Sequence, residues 1–434
     1  MLKFTGRLYS WKNLNTCSLS SFGGFMDFEF SEQEKVFRDN VRDFCQKHIA
    51  PKWIEADEKK EIPLDLIRRM GDAGLFCIPV SEEYGGQGGT YVMAAIAVEE
   101  VAYADPAVAI AVYTLLNNGW PLALQIYGDE DVKKEILPKV SRGEAFYGIA
   151  STEPQGGSDV AGIRTKAERK GDVWILNGEK AFISGVAESQ KLPWGGGWFL
   201  VARTGSMEAR HKALTAFTVL CKRDGRMIEG FQPTLYEDIG RHALSTGGFK
   251  LSNLQVEDKY RLGDENKGFY YVMEGFNLAR IVVAAACIGA ARWCIDKAIE
   301  WFKQRQLFGD RYISSFQGVS FKFAELYAEL EAAKYFVYKA AWLADKIYLE
   351  KDPTRRPVDL NIPVALAKMK APEAAVKIFE ETLKWYGAYA YTKECPIYRG
   401  WLGCFSYVIG AEGAQNIMRY IIARDVIGSE YVKG

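Results

Sequence analysis

The spacing of apolar residues divides the chain into a helical first third, a β-rich middle third and a helical last third. Up to about residue 143, apolar residues recur at intervals of three and four, as on one face of an α-helix. From Glu144 to about Val256 the period shortens towards two, in short runs bounded by Gly and Asn. The pattern predicts an α+β, mostly α, protein: an N-terminal helical domain, a central β-sandwich or barrel domain and a C-terminal antiparallel helix bundle.

Local signals place several element boundaries. Ser31 is predicted to cap a first helix, and Asn177-Gly178, between two β-prone runs, predicts a tight hairpin turn. The last helix is predicted over Glu412 to Ile427. The predicted domains are residues 26–143, 144–258 and 259–434, preceded by a distinct segment, residues 1–25.

Residues 1–25 contain three basic residues, no acidic residue and several Ser and Thr. This composition fits an organellar transit peptide, which would place the protein in the mitochondrial matrix. The alternative is an over-extended start, with Met26 opening the domain and a cytoplasmic location. We favour the second interpretation.

Charge and cysteine content exclude several classes of protein. Lys plus Arg equals Asp plus Glu at 55 each, so no general attraction to nucleic acid or an anionic membrane is expected. No uncharged apolar run reaches the length of a membrane span. Eight scattered Cys without a Cys-x-x-Cys pair, and only three His, argue against a metal site and favour reduced thiols.

Two polar, Gly-rich stretches of the β region are the strongest candidates for ligand binding. Tyr147 to Val160 begins as a β-prone run and turns polar at Ser151, Thr152 and Glu153. Leu176 to Ser184 is a second β-prone run about 25 residues later. Their spacing and composition suggest that one flat ligand is held between two strand ends.

Other polar residues within apolar segments have structural alternatives. Asn117, Asn118 and Trp120 interrupt an apolar helix, and satisfied core amides are favoured over a substrate-pocket wall. His242 lacks a neighbouring nucleophile motif, so a surface or loop-anchoring role is favoured over catalysis.

The two Gly-rich stretches resemble the central segment of the acyl-CoA dehydrogenase family. Three further segments carry the resemblance to nearly the whole chain from Met26: Gly275 to Arg280, Lys303 to Gly309 followed by Phe316-Gln317-Gly318, and Gly410 to Ile417. Departures at Tyr386 to Ala390 and at Ala414 suggest a divergent branch.

The resemblance implies FAD as cofactor. The residues that it assigns to FAD are Ile149, Ser151, Thr152, Phe182, Ser184, Arg305, Phe308, Gln317, Lys384, Gly387, Ala388, Ala414 and Asn416. In the family the residue matching Arg305 reaches the FAD of a neighbouring subunit, which implies a homotetramer or homodimer.

The resemblance also implies an acyl-CoA substrate, bound by Ser158, Asn277, Arg280, Glu412 and Gly413. Glu412 matches the family's catalytic base, and its apolar and small neighbours would raise its pKa towards neutrality. From the residues alone, a solvated Glu at a helix start is the favoured interpretation. Some relatives place the base on the earlier helix, where this chain has Ala279.

The implied reaction belongs to fatty-acid β-oxidation. Glu412 would remove the α-proton of the thioester while the β-hydride leaves to flavin N5, giving a trans-2-enoyl-CoA. An electron-transfer flavoprotein or similar acceptor would take the electrons. Ala411 beside the base suggests a pocket roomy enough for branched or cyclic acyl groups. Two alternatives stay open: a flavin oxidase or monooxygenase, and a non-catalytic CoA- or flavin-binding subunit.

Overall fold

A computed structural model describes residues 29–432 of the chain. The predicted leader, residues 1–25, lies outside the described residues. Within residues 29–432, six α-helices precede the first strand: α1 (Glu32–His48), α2 (Trp53–Lys59), α3 (Leu64–Asp72), α4 (Tyr91–Ala104), α5 (Ala109–Tyr127) and α6 (Glu130–Ser141). Ser31 caps α1 as predicted, in a capping box with Glu34.

The middle of the chain forms a β domain. Its strands are β1 (Phe146–Ala150), β2 (Lys166–Lys170), β3 (Val173–Ser184), β4 (Gly196–Arg203), β5 (Leu214–Leu220), β6 (Lys222–Arg223), β7 (Arg226–Met227), β8 (Phe231–Leu235), β9 (Thr246–Glu257) and β10 (Arg261–Leu262), with α7 (Val186–Lys191) after β3. Eight of these strands share one sheet in the order β10-β5-β4-β2-β3-β9-β8, and β1 pairs with β4 in parallel. β6 and β7 form a separate hairpin.

The predicted hairpin turn at Asn177-Gly178 is wrong. β3 runs through both residues, and only its register against β9 shifts between Leu176 and Gly178. Glycine is needed at position 178 for a different reason, because a Cβ there would overlap Thr165. Close approach of a neighbouring segment, rather than chain reversal, therefore requires glycine here.

The C-terminal part is helical apart from one short hairpin. It contains α8 (Gly268–Phe302), β11 (Gln306–Leu307), β12 (Arg311–Tyr312), α9 (Gln317–Ala344), α10 (Asn361–Tyr386), α11 (Ile397–Ile409) and α12 (Gln415–Ile427). α8 is central, because it packs against α4 and α5 as well as against α9 and α10. Its small residues permit this contact: a Cβ on Gly289 would overlap the carbonyl of Glu99 in α4.

By length and composition, α8 alone among the helices of residues 29–432 could cross a membrane. In the fold, 89% of its most apolar window is buried inside the protein. The order of helices, β domain and helices confirms the predicted fold class. The predicted domain boundaries stay predictions.

Candidate active site

Two strand ends of the β domain lie side by side, as the Gly-rich stretches suggested. The segment after β1 carries Ser151 and Thr152, and the end of β3 carries Phe182 and Ser184. The Ala181 N–H donates to the Thr152 carbonyl at 3.0 Å, which fixes the first segment against the second. The structure therefore brings these predicted cofactor residues together, with Ile149 half-buried at the same strand end.

The chemistry of these strand ends suits a flat, polar-edged ligand. Phe182 is 69% exposed and has a left-handed φ of 57°, an unfavourable backbone for an aromatic residue. Ser151 is buried, and its hydroxyl has no hydrogen-bond partner among the described residues. A bound isoalloxazine ring would cover the exposed ring of Phe182 and would give the buried Ser151 hydroxyl a hydrogen-bond partner. The residues present therefore fit FAD.

A buried ion pair that was not predicted from the sequence holds the first strand end. Lys180 is fully buried, and its Nζ lies 2.9 Å from Glu153 Oε1, 3.1 Å from the Ser151 carbonyl and 3.0 Å from the Val201 carbonyl. Burial alone would raise the pKa of Glu153, but Lys180 and nearby hydrogen-bond donors lower it to about 2. Burial lowers the pKa of Lys180 to about 8 despite Glu153.

Glu412 lies on a strained loop between two helices, and the prediction that α12 begins there is wrong. α11 ends at Ile409 and α12 begins at Gln415, with Ala414 as its N-cap. Ala411 and Glu412 have left-handed φ values of 52° and 48°. A non-glycine residue in this region costs roughly 1–2 kcal/mol, so surrounding contacts must hold the loop in place.

Arg280 provides one of these contacts. Its Nε donates to the Glu412 carbonyl at 2.7 Å and its Nη1 to Asn277 Oδ1 at 2.8 Å, while Asn277 Nδ2 donates to Asn361 at 2.9 Å. Burial lowers the pKa of Arg280 to about 10, against the charge of Glu412. The predicted CoA contact of Arg280 and Asn277 stays a prediction. Part of their hydrogen-bonding capacity holds the loop of residues 410–414, which carries the predicted base Glu412 and is called the base loop below.

Lys368 provides further contacts to this loop, and it was not predicted from the sequence. It is fully buried in α10 and donates to the carbonyls of Tyr407, Gly410 and Gly413 at 2.7, 3.2 and 2.6 Å. Its spacing in the sequence could have indicated that it is buried. Lys368 lies four residues after Val364 and three before Ala371, which places it on the buried face of α10.

The surroundings of Glu412 have opposing effects on its acidity. Burial raises the pKa of the Glu412 carboxyl above its usual range, while Lys368, Arg280 and Arg241 lower it, as does the indole N–H of Trp120. A raised pKa suits a general base, provided that the carboxyl is deprotonated at the working pH.

Of the three polar or aromatic residues that interrupt α5, Trp120 lies beside Glu412. Its indole is fully buried, and Nε1 makes no hydrogen bond of acceptable geometry within residues 29–432, although it lies close enough to Glu412 to lower its pKa. Asn117 and Asn118 are satisfied core amides, as the favoured interpretation held. Asn117 accepts from the Tyr147 N–H at 2.9 Å, and Asn118 accepts from the Ile78 N–H at 2.8 Å.

Replacing Trp120 with Phe should raise the pKa of Glu412, because it removes the N–H that favours the carboxylate. A base works when deprotonated, so the acid side of the pH–activity profile should move to higher pH. The measurement is kcat/KM between pH 5 and 8, with Trp194→Phe, an exposed indole stacked on Lys139, as control. If the acid side of the pH–activity profile does not move, Trp120 does not influence the pKa of Glu412.

The loop that carries His242 is anchored through its backbone. The His242 N–H donates to Asp57 Oδ1 at 2.8 Å, which fits the favoured loop-anchoring role. The adjacent Arg241 was not selected from the sequence, yet its charge acts on Glu412.

Six of the predicted FAD residues lie far from Glu412 within this chain. They are Arg305, Phe308, Gln317, Lys384, Gly387 and Ala388, all exposed at the other end of the bundle. Arg280 contacts the Glu412 loop, and α8 runs from there to Phe302 over about 33 Å, at roughly 1.5 Å per residue. This length indicates how far the six residues lie from Glu412. Phe308 is 88% exposed, with a left-handed φ of 49°.

The remaining predicted residues lie at the rims of the site. Ser158 is exposed on the Gly-rich loop, where the neighbouring Asp159 pairs with Arg210 at 2.7 Å. Asn416 is exposed in the first turn of α12, and Gly413 has a φ of 109° that favours glycine.

Comparison with known proteins agrees with this geometry. Residues 31–144, 148–254 and 266–427 match the N-terminal, middle and C-terminal domains of acyl-CoA dehydrogenase. The chain is 33% identical to a glutaryl-CoA dehydrogenase of Desulfococcus multivorans over 93% of this chain and 98% of that protein. It is 31% identical to subunit CarC of the caffeyl-CoA reductase–Etf complex of Acetobacterium woodii, over 91% of this chain and 98% of that one.

A solved structure of a glutaryl-CoA dehydrogenase with glutaryl-CoA superposes with a TM-score of 0.83 at 32% identity, over 94% of this chain and 98% of that one. The chain belongs to the acyl-CoA dehydrogenase family. It is an oxidoreductase that dehydrogenates acyl-CoA, and its cofactor is FAD. The predicted family, enzyme class and cofactor are confirmed; the roles of individual residues stay predictions.

Proposed function

We propose that this enzyme removes the α-proton of an acyl-CoA thioester with Glu412 and yields a trans-2-enoyl-CoA. The observation that carries the proposal is the Glu412 loop: a partly buried carboxylate of raised pKa on a strained backbone that two buried cations hold. Strain at one titratable residue, maintained by buried hydrogen bonds, is typical of a catalytic group.

The same loop offers a donor for the thioester oxygen. The backbone N–H of Glu412 meets no acceptor among the described residues. The peptide that carries it lies between two peptides whose carbonyls are held, Gly410 by Lys368 and Glu412 by Arg280. A donor fixed in this way stabilises negative charge on the thioester oxygen as the α-proton leaves, without reorganisation of the loop.

FAD, when bound, supplies the acceptor for the β-hydride. Ser151, Thr152, Phe182 and Ser184 would hold its ring from the β domain, with the Lys180–Glu153 pair fixing the strand end behind them. Ile149 would line the same edge, and Ala414 and Asn416 would approach from the start of α12. The protein's contribution is position and the exclusion of water.

The six exposed residues at the far end of the bundle support an assembly of at least two subunits. We assign to a neighbour's FAD the exposed residues at the end of the bundle away from Glu412, which are Arg305, Phe308, Gln317, Lys384, Gly387 and Ala388. The mass of the FAD-bound protein in solution tests this assignment, and a monomer that keeps FAD would contradict it.

An electron-transfer flavoprotein is the proposed electron acceptor. The support is the relative from Acetobacterium woodii, which is named as a subunit of a complex with Etf. The relatives do not agree on one acyl group, because one is named for glutaryl-CoA and another for caffeyl-CoA. Ala411 is small and exposed beside the base, which favours branched or cyclic acyl groups over straight chains.

The visible spectrum of the purified protein tests the proposal. The protein should carry oxidised flavin, and anaerobic addition of its acyl-CoA substrate should bleach the flavin within seconds to minutes. The panel should include straight, branched, dicarboxylic and aryl acyl-CoAs.

Each alternative function has its own outcome in this experiment. Rapid re-oxidation of the bleached flavin by air would favour an oxidase or monooxygenase. A colourless protein that cannot be reconstituted with FAD would favour a non-catalytic subunit.

A further inference from the structure

Lys368 is a buried cation that has no carboxylate in direct contact within residues 29–432. A lysine ammonium has three N–H donors, and all three are used on backbone carbonyls of α11 and the base loop, at 2.7, 3.2 and 2.6 Å. Burying a charge is expensive, and three carbonyl dipoles, one from the last turns of α11 and two from the loop that follows it, replace the water that the ammonium loses. The contacts of Lys368 therefore hold the end of α11 and the following loop, and they are not part of an ion-pair network.

The carbonyls that Lys368 holds bracket the base. Gly410 and Gly413 stand on either side of Glu412, and between them the backbone is left-handed at Ala411 and Glu412. Without a tether, a loop of this kind would relax towards ordinary backbone angles. Its relaxation would move both the carboxyl and the N–H of Glu412.

The charged and titratable groups around Lys368 come from four elements. They are Glu412 on the loop, Arg280 and Cys287 on α8, Glu373 on its own helix α10 and Tyr407 on α11. Burial lowers the pKa of Lys368 to about 8, and Glu412 opposes the shift. The ammonium is thus retained at neutral pH and lost under mildly alkaline conditions.

We propose that Lys368 is a positioning residue for proton transfer by Glu412, because its ammonium tethers the two ends of the base loop. This inference rests on the proposed function. A neutral amine has only two N–H donors and a lone pair, so deprotonation releases at least one carbonyl. The rate of proton removal should then fall as Lys368 loses its proton, which gives the pH profile an alkaline limb that Glu412 does not produce.

The test replaces Lys368 with Met, which keeps the length of the side chain and removes the donors. Lys370→Met is the matched control, since Lys370 lies two residues further along α10, is partly exposed and donates to no carbonyl of the base loop. The measurement is the rate of flavin bleaching per bound FAD, with saturating acyl-CoA, from pH 6 to pH 9.5.

Lys368→Met should keep FAD but bleach about 10²-fold more slowly at pH 7, as expected for a misplacement of about 1 Å. Its rate should lack the alkaline fall seen in the wild type, while Lys370→Met follows the wild type. If Lys368→Met bleaches as fast as the wild type at each pH, the inference is overturned. A lowered melting temperature with unchanged rates would overturn it too.

A second measurement does not depend on a folded variant. Hydrogen–deuterium exchange of wild-type peptides containing residues 410–413, corrected for the intrinsic pH dependence, should rise several-fold between pH 7 and pH 9.5. Unchanged exchange would contradict the tether. If no acyl-CoA bleaches the wild type, the proposed function fails, whereas exchange still reports whether Lys368 holds the loop.

Discussion

Glu412→Gln should purify with FAD bound and bind acyl-CoA, yet bleach its flavin about 10²–10⁴-fold more slowly than the wild type. This range is the usual contribution of a positioned general base. Gln is nearly isosteric with Glu but cannot accept the α-proton. The loop should keep its shape, because Arg280 and Lys368 bond to backbone carbonyls that the substitution leaves intact. The measurement is anaerobic bleaching under single-turnover conditions.

The control for this variant is Glu325→Gln, which changes an exposed carboxylate on α9 that pairs with Lys322. It should bleach at the wild-type rate. Normal bleaching by Glu412→Gln would exclude Glu412 as the base. Loss of FAD from Glu412→Gln would instead show that the carboxylate is needed to assemble the site.

Lys180→Met should destabilise the protein by about 3–5 kcal/mol near neutral pH, since it leaves the buried Glu153 carboxylate unpaired. It also removes the donor to the Ser151 carbonyl, so the strand end should loosen and FAD affinity should fall. Chemical denaturation of the FAD-bound protein and FAD titration of the apoprotein measure the two effects.

The pH dependence of this loss identifies its cause. In the wild type, the pKa of Glu153 is lowered, so the pair contributes stability above the unfolded-state pKa and loses it as pH falls towards about 2. In Lys180→Met, the ammonium no longer opposes the effect of burial on Glu153, so we expect the pKa of this carboxyl to rise and the stability of the variant to fall as pH rises. The destabilisation should therefore be smaller at pH 5 than at pH 8.

Two companion variants separate the ion pair from lost packing. Lys180→Met combined with Glu153→Gln should recover part of the stability, because no buried charge remains unpaired. Lys166→Met, an exposed lysine on β2, should have little effect. Equal stability of Lys180→Met and the wild type at pH 8 would mean that the pair does not hold the strand end.

The sequence by itself determined the order of the domains and the family. Helical spacing, then alternation, then helical spacing is a property of the chain, because each element must bury one face. The Gly-rich stretches after β1 and along β3 stand out in the sequence because polar and Gly residues interrupt β-prone runs. Glu412 was identified through the family resemblance, since its residue type and position alone favour a solvated helix start.

Only the tertiary structure decided how the base is held. Asn177-Gly178 has the sequence of a turn, but the pairing of β3 with β9 extends the strand through it. Glu412 has the sequence of a helix start, but Lys368 and Arg280 hold it on a left-handed loop. Both outcomes depend on contacts between segments distant in the chain, which local propensity does not encode.

The burial of Lys368 and Lys180 could not be predicted from the sequence either. A lysine in an apolar helix is compatible with a solvated side chain, and Lys180 in a strand is compatible with a surface charge. Their burial against specific carbonyls and a carboxylate follows from how α10, α11 and the sheet pack. The sequence identified Glu412 and the two strand ends as candidates, and packing decided which buried cations hold them in place.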